Sequence, residues 1–182
     1  MEAGLPEADG IFLGDLKLGM PGIESPLGES FAHAASVCLE TGRHESGVTM
    51  PIEGDIRKSY PVFWEGIDDQ VRRSWADLQD ATEMGAYGIA ALVIVKLTEF
   101  TVIERARKGK GFDYWLGPKN KEAELFQNAA RMEVSGILIG DEGEIERRVR
   151  AKLAQVKPSP GRHAAFIVVV EFGGPRTKMV RK

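Results

Sequence analysis

The chain has 182 residues, 43% of them hydrophobic and 28% charged, which is the composition of an ordinary soluble globular domain. Its single cysteine, Cys38, excludes an internal disulfide and is typical of a reducing cytoplasm. The first residues lack the basic and apolar segments of a secretory signal, and the longest apolar run, 89–95, is too short to span a bilayer. We therefore expect one cytoplasmic domain without a membrane segment.

The charge is distributed unevenly along the chain. Residues 1–30 carry six acids and one lysine, so residues 31–182 have a net charge of +2, although the whole chain has −3. Basic residues are concentrated at 100–121 and in a C-terminal tail at 173–182. This asymmetry is compatible with a phosphate-rich partner, although clustered charge is also common on a solvated face.

The N-terminal part of the chain is predicted to be an arm, a helix and a hairpin. Residues 1–28 are acidic, rich in glycine and proline and without clear periodicity, so we predict an irregular acidic arm that contributes little to the core. A helix is predicted over 29–41, with Gly42 as its stop. Two extended segments within 47–65 surround a polar turn, and their internal prolines favour a hairpin at the edge of a sheet.

Helices and strands alternate in the second half of the chain. A helix is predicted over 68–98 with a break near 80–83, and its second half is apolar nearly all round, as a helix covered by two layers requires. Three strands are then predicted, at 100–106, 111–116 and 129–138.

The last two elements complete the predicted core. Asp141 is expected to cap a basic amphipathic helix that runs to about residue 156. Residues 165–172 form an apolar strand, which we place inside the sheet and parallel to an earlier strand. The fold class is therefore α/β, a mixed sheet flanked by helices. A single domain at 29–182 has a helix and hairpin extension at 29–74, a core at 75–172 and a basic tail at 173–182.

Two acids lie on the second and third strands of this core. Asp113 belongs to the segment 108–117, and Glu133 is followed two residues later by Ser135. Residues two apart on a strand share a face, so Glu133 and Ser135 should lie together, beside Asp113 if the strands pair. Two converging carboxylates could hold a hard cation such as Mg²⁺. The alternative is that both acids are merely solvated strand residues.

This order of elements, with an acid on the second strand and Glu-X-Ser on the third, resembles the PD-(D/E)XK, or restriction-endonuclease-like, nuclease superfamily over about residues 75–172. The resemblance implies an αβββαβ core with Mg²⁺, or Mn²⁺, as cofactor. It implies that Asp113 and Glu133 bind the metal, and that Glu83, early in the first helix, completes the site.

The chain departs from the family pattern at Ser135. The family usually has a lysine there, which orients or activates the attacking water. Lys110 in the preceding hairpin and Lys152 on the following helix are both candidates for the missing charge. The catalytic residues implied by the resemblance are therefore Asp113, Glu133, Ser135 and Lys110.

The implied function is metal-dependent hydrolysis of phosphodiester bonds in nucleic acid, with DNA favoured over RNA. Four cations, Arg105, Arg107, Lys108 and Lys110, would contact the nucleic-acid backbone. The alternative is a catalytically inactive member of the fold that acts as a binding or assembly subunit. Its partner, or the second copy of a homodimer, would bind the 47–65 hairpin through exposed aromatic residues, Tyr60, Phe63 and Trp64.

Overall fold

The computed structural model describes residues 9–120, 124–158 and 163–182. In this part of the chain, eight strands form one mixed sheet and α-helices flank it. The strands are β1 (Ile11–Phe12), β2 (Val48–Gly54), β3 (Lys58–Phe63), β4 (Phe100–Arg105), β5 (Tyr114–Pro118), β6 (Ala130–Ile137), β7 (Ala165–Glu171) and β8 (Arg176–Arg181). The helices are α1 (Ser25–Thr41), α2 (Asp69–Ser74), α3 (Leu78–Leu97) and α4 (Glu142–Gln155), and a 3₁₀ helix covers Leu13–Leu18.

The strand order is β1-β3-β2-β8-β7-β6-β5-β4. β6 and β7 are parallel, with Glu133 opposite Ile167, and α4 connects them. β5 and β4 continue the sheet antiparallel on one side, while β8 lies antiparallel to β7 on the other and is followed by the β2–β3 hairpin. The prediction for the last apolar strand is confirmed, because β7 lies inside the sheet and parallel to an earlier strand. The mixed sheet flanked by helices is confirmed with it.

Different helices cover the two faces of the sheet. α1 and α3 lie over one face and share the main hydrophobic core with β6 and β7, whereas α4 packs on the other face through Ile145 and Val149. Every residue of β7 is buried, which explains its continuous apolar run. Gly85 allows α3 to approach α1 closely, since a Cβ there would lie 2.8 Å from the Cα of Ala35. Among the described residues, no helix has the length and apolarity needed to cross a bilayer.

The prediction of an irregular arm outside the core is wrong over residues 9–28. β1 pairs with β3, the 3₁₀ helix follows, and α1 begins at Ser25 rather than at residue 29. Four apolar residues of this segment are at most 2% exposed, namely Ile11, Leu13, Leu16 and Ile23. Their spacing follows neither the helix nor the strand period, so their burial depends on tertiary packing. Residues 1–8 of the predicted arm lie outside the described residues.

The break in the helix predicted over 68–98 lies earlier than expected. α2 ends at Ser74 and α3 begins at Leu78, so residues 80–83 belong to a continuous helix. Asp77 sets the start of α3, because its carboxylate accepts the backbone N–H groups of Gln79 and Asp80 at 2.9 and 3.3 Å.

The β2–β3 hairpin forms as predicted, but it is not an open edge with exposed aromatic residues. β8 pairs with β2, and β1 pairs with β3. Phe63 stacks on Phe12 with ring centroids 5.0 Å apart, Tyr60 lies under the ammonium of Lys96, and Trp64 donates to Glu40 at 3.2 Å. All three hairpin aromatics are half-buried. The predicted partner surface is therefore largely occupied by the protein itself.

The predicted basic tail is mostly a strand. β8 lies between β7 and β2 and joins the two parts of the sheet. Two of its three cations pair with acids of α4, Arg176 with Glu142 at 3.1 Å, and Lys178 with both Glu142 and Glu146, while Arg181 lies over the ring of Phe166. The positive charge of this segment is thus used within the fold.

Candidate active site

A cavity of about 760 Å³ opens between α3, the β4–β5 connection, β6 and α4. Most of the predicted site residues line it, namely Glu83, Arg105, Arg107, Lys108, Asp113, Glu133 and Ser135. Lys110 is not part of this lining, and its backbone N–H donates to the carbonyl of Arg107 at 3.2 Å within the connecting turn. The structure therefore places the three predicted acids in the lining of one cavity and leaves out the lysine of the hairpin.

Two hydrogen bonds orient the carboxylate of Asp113, which lies immediately before β5. Its Oδ2 accepts the backbone N–H of Val134 at 2.8 Å, and its Oδ1 accepts from the hydroxyl of Tyr87 at 3.2 Å. The pairing of β5 with β6 positions the first donor, and the packing of α3 on the sheet positions the second. Asp113 is consequently held against the middle of β6, beside Glu133.

Glu133 is a buried acid, 3% exposed, on the face of β6 that α4 covers. Its Oε1 accepts from the ammonium of Lys152 and from the amide of Gln155, the latter at 3.1 Å. The pKa of Glu133 is raised to about 7, mainly because the side chain is buried; the Lys152 ammonium opposes this rise, and the neighbouring Asp113 carboxylate adds to it. The folded protein therefore holds the Glu133 proton up to a higher pH than an exposed glutamate would, and strongly shifted acids of this kind cluster at functional sites and in structural ion-pair networks.

Ser135 lies on the same face as Glu133, as their spacing predicts. It is only 7% exposed, however, and so it faces α4 rather than solvent. Its Oγ accepts from Nη1 of Arg148 at 2.9 Å. Arg148 and Lys152 are one turn apart on α4, so this helix brings one positive charge to Ser135 and another to Glu133.

Tyr87 connects Glu83 to Asp113. Its hydroxyl is 3.0 Å from Oε1 of Glu83 and 3.2 Å from Oδ1 of Asp113, so these two oxygens are at most about 6 Å apart. Burial raises the pKa of the hydroxyl, which therefore keeps its proton and donates to one of the two carboxylates at a time. Nη2 of Arg105 donates to the same hydroxyl at 3.2 Å, while its Nη1 donates to Tyr114 at 2.8 Å.

Two acids of the cavity, Asp113 and Glu133, lie beside each other, and the third, Glu83, is separated from them by Tyr87. The Asp113 carboxylate is close enough to raise the pKa of Glu133, and Mg²⁺ is commonly held by one or two carboxylates together with water and phosphate oxygens. Among the described residues, no three His, Cys, Asp or Glu side chains lie close enough to share an ion. Glu83 reaches Asp113 only through the Tyr87 hydroxyl, so the predicted three-carboxylate cluster does not form.

The cavity carries more positive than negative charge. Three acids line it, Glu83, Asp113 and Glu133, against five cations, Arg105, Arg107, Lys108, Arg148 and Lys152. Arg107 and Lys108 are exposed on the connection between β4 and β5. A concave surface with this excess of positive charge attracts anions such as phosphate.

Several residues of the site were not predicted from the sequence. Tyr87 lies in the apolar run of α3, where its periodicity indicates core packing, although its position four residues after Glu83 places both on one helix face. Arg148 and Gln155 belong to a helix for which the sequence predicts only a basic, amphipathic character. Their spacing with Lys152, at i, i+4 and i+7, is the signal that could have shown that one face of α4 presents polar groups to the sheet.

Comparisons with protein-family models, with curated proteins and with solved structures found no match for this chain. The chemistry of the site therefore follows from its own groups. These are two neighbouring acids, a lysine hydrogen-bonded to one of them and a rim of cations around an open cavity.

Proposed function

We propose that the protein is a metal-dependent nuclease with a restriction-endonuclease-like core, and that it hydrolyses phosphodiester bonds in DNA in preference to RNA. The observation that carries this proposal is the contact between Lys152 and Glu133, beside Asp113, in a cavity rimmed by cations. Ser135 occupies the strand position where the family pattern has a lysine. A lysine from another element, Lys152 of α4, contacts the acid of that pattern, Glu133. The order helix, three strands, helix, strand over residues 78–171 also supports the proposal.

Each group has a distinct role in this proposal. Asp113 and Glu133 would hold Mg²⁺ or Mn²⁺, and the bound ion lowers the pKa of a coordinated water and offsets negative charge on the phosphate. Lys152 fixes the orientation of Glu133 and adds positive charge beside the scissile group. Arg107 and Lys108 bind backbone phosphates at the mouth of the cavity, so that affinity falls with increasing salt.

A catalytically inactive binding or assembly subunit is the second candidate function. It is favoured by Ser135 in place of the family lysine and by Glu133, which already has a cation partner and a pKa of about 7. The cation partner and the raised pKa of Glu133 both weaken a metal site, because a carboxylate must be ionised and accessible to bind a divalent cation. The cavity would then bind phosphate groups of a nucleic acid, and the protein would not hydrolyse the nucleic-acid backbone.

The test is to incubate the protein with plasmid, linear duplex, single-stranded DNA and RNA, with Mg²⁺, Mn²⁺ or a chelator. Asp113→Asn and Glu133→Gln should each abolish cleavage but leave binding intact or stronger, because each removes a metal ligand and also a negative charge that repels phosphate. The matched control is Asp15→Asn at an exposed position of the 3₁₀ helix. Unchanged cleavage by Asp113→Asn would contradict the nuclease proposal. Metal-independent binding without cleavage would favour the inactive subunit.

A comparison of two lysines tests the role of α4 directly. Lys152→Gln should reduce the cleavage rate about a hundredfold or more, the usual effect of removing one preorganised charge from an active site. Lys110→Gln should change the rate only a few-fold, because Lys110 does not line the cavity. Single-turnover rates at saturating protein measure the effect independently of binding. Equal losses in both variants would mean that the total charge of the region matters, and not the contact with Glu133.

A further inference from the structure

A row of three aromatic rings extends from the cavity, and the middle ring, Trp115, belongs to β5. Phe112 lines the cavity, and its ring is nearly perpendicular to that of Trp115, with centroids 4.8 Å apart. Trp115 in turn contacts Phe126, with centroids 6.3 Å apart. Phe126 is 50% exposed, and the other two rings are half-buried. These three residues, the aromatic track, are in ring-to-ring contact from Phe112 in the cavity lining to the exposed ring of Phe126.

A buried cation lies beneath this track. Arg131 is 6% exposed, and its guanidinium is 5.8 Å from the ring centroid of Phe112. It donates to the carbonyl oxygens of Lys157 and His163 at 2.7 and 2.8 Å, while its Nε has no hydrogen-bond partner within the described residues. Within the described residues, only carbonyl groups support this buried positive charge; such a charge is costly, and an anion that binds nearby reduces that cost.

The exposed cations lie at the cavity end of the track. Arg107 and Lys108 line the cavity together with Phe112. The surface therefore offers positive charge to phosphates and ring faces to bases, the two components of single-strand recognition. A duplex can use only the positive charge, because its bases are already stacked on one another and the edges of the bases are paired.

We propose that the aromatic track binds unpaired bases and that the preferred substrate is single-stranded nucleic acid, an inference that rests on the proposed nuclease function. A strand bound in this way passes Phe126 and Trp115 and enters the cavity beside Phe112. Its backbone is then held by Arg107 and Lys108, next to Asp113 and Glu133.

The neighbouring residue Leu125 provides a matched control. It is 51% exposed, almost the same as Phe126, but it has no aromatic face. Phe126→Ala and Phe126→Leu should both weaken single-strand binding about fivefold to a hundredfold, the range that corresponds to the loss of one stacked base. Phe126→Tyr keeps the ring and should bind normally, and Leu125→Ala should bind within about twofold of the wild type. None of the four substitutions should alter duplex affinity.

The experiment measures fluorescence anisotropy of labelled single strands and of duplexes of the same length, with a chelator present to prevent cleavage. Loss of single-strand binding in Phe126→Ala, with Leu125→Ala normal, supports the proposal. Equal effects on single strands and duplexes, or equal effects of Phe126→Ala and Leu125→Ala, would overturn it. Cleavage assays of the same proteins separate the two proposals. Metal-dependent cutting of duplex that Phe126→Ala leaves unchanged overturns the single-strand proposal but not the nuclease, whereas ring-dependent binding without cutting overturns only the nuclease.

Discussion

Glu133 shows how three neighbouring groups set the state of one side chain. Burial favours the uncharged acid, and the nearby Asp113 carboxylate acts in the same direction. Lys152 favours the ionised form but does not outweigh the other two, so the pKa rises from 4.5 to about 7. A buried ion pair commonly behaves in this way, because the cost of removing two charges from water is only partly recovered by their attraction. The folded protein therefore holds this proton more tightly than the unfolded chain does.

The stability of the protein should consequently depend on pH between about 4.5 and 7. In this window the folded state binds more protons than the unfolded state, so the free energy of unfolding decreases as pH rises and then levels off above the folded-state pKa. Glu133→Gln, which resembles the protonated acid, should remove this decrease and be more stable than the wild type at pH 8. Urea unfolding across this pH range with a chelator present measures the effect. The control is Glu53→Gln, an exposed glutamate on β2.

A different result has a clear meaning. If Glu133→Gln is less stable than the wild type at pH 8, the attraction between Glu133 and Lys152 exceeds the cost of burying the charge. The predicted decrease would then be absent from the wild-type profile as well.

At the scale of elements, the sequence predicts those whose signals are local. The alternation of β4 and β6 and the apolar run of β7 are visible within a few residues. The start of α4 is equally local, because the carboxylate of Asp141 accepts the N–H of Glu144 at 2.8 Å. The signal for β8 is not local. Its strand character depends on an available edge of β7, and its cations resemble a solvated tail until α4 supplies their partners.

The same distinction explains the site. The proximity of Asp113 and Glu133 follows from two neighbouring strands that pair, which is a short-range event. The contributions of Tyr87 and Arg148 depend on how α3 and α4 are rotated on opposite faces of the sheet. A helical pattern alone leaves this rotation open, since each helix has several polar positions at compatible spacings. Helix-borne residues of the site are therefore harder to predict than strand-borne ones.

The 3₁₀ helix near the N-terminus should contribute strongly to stability. Leu16 is 1% exposed and lies against α3, where a Cβ at Gly88 would be 2.9 Å from its Cδ1, whereas Leu18 of the same turn is 82% exposed. Leu16→Ala should lower the free energy of unfolding by about 2–5 kcal/mol, the usual cost of a cavity in a core. Leu18→Ala should change it by about 0.5 kcal/mol or less. Urea unfolding compares the two, and equally small effects would restore the view of this segment as a peripheral arm.

At the scale of the whole molecule, one short junction joins the cavity-bearing strands to the hairpin. β2 and β8 pair in parallel through three residue pairs, from Ile52 opposite Thr177 to Gly54 opposite Met179. The main hydrophobic core continues across this junction, because Met50 and Val62 of the hairpin belong to the same buried cluster as the core strands. The hairpin is thus an integral part of the sheet, although the cavity lies on the other side of β8.

Gly54 is the residue on which this junction depends most. Its φ of +117° is unfavourable for residues with a side chain, and a Cβ there would lie 2.0 Å from the carbonyl oxygen of Met179. Gly54→Ala should therefore separate β2 from β8 and lower the free energy of unfolding by about 2 kcal/mol or more. Gly66→Ala, just after the hairpin, is the matched control, because nothing lies within 4 Å of a Cβ at that position.

Hydrogen exchange of Gly54→Ala shows how far the disturbance extends. If the sheet opens locally, amides of β2 and β3 should exchange faster while those of β6 and β7 stay protected, because the pairs around β7 do not involve the hairpin. The cavity would then keep its shape, and the proposed single-strand binding should match that of Gly66→Ala. Uniformly faster exchange in all strands would instead mean that the hairpin and the cavity-bearing strands unfold as one cooperative unit, with the β2–β8 junction supporting the site from a distance.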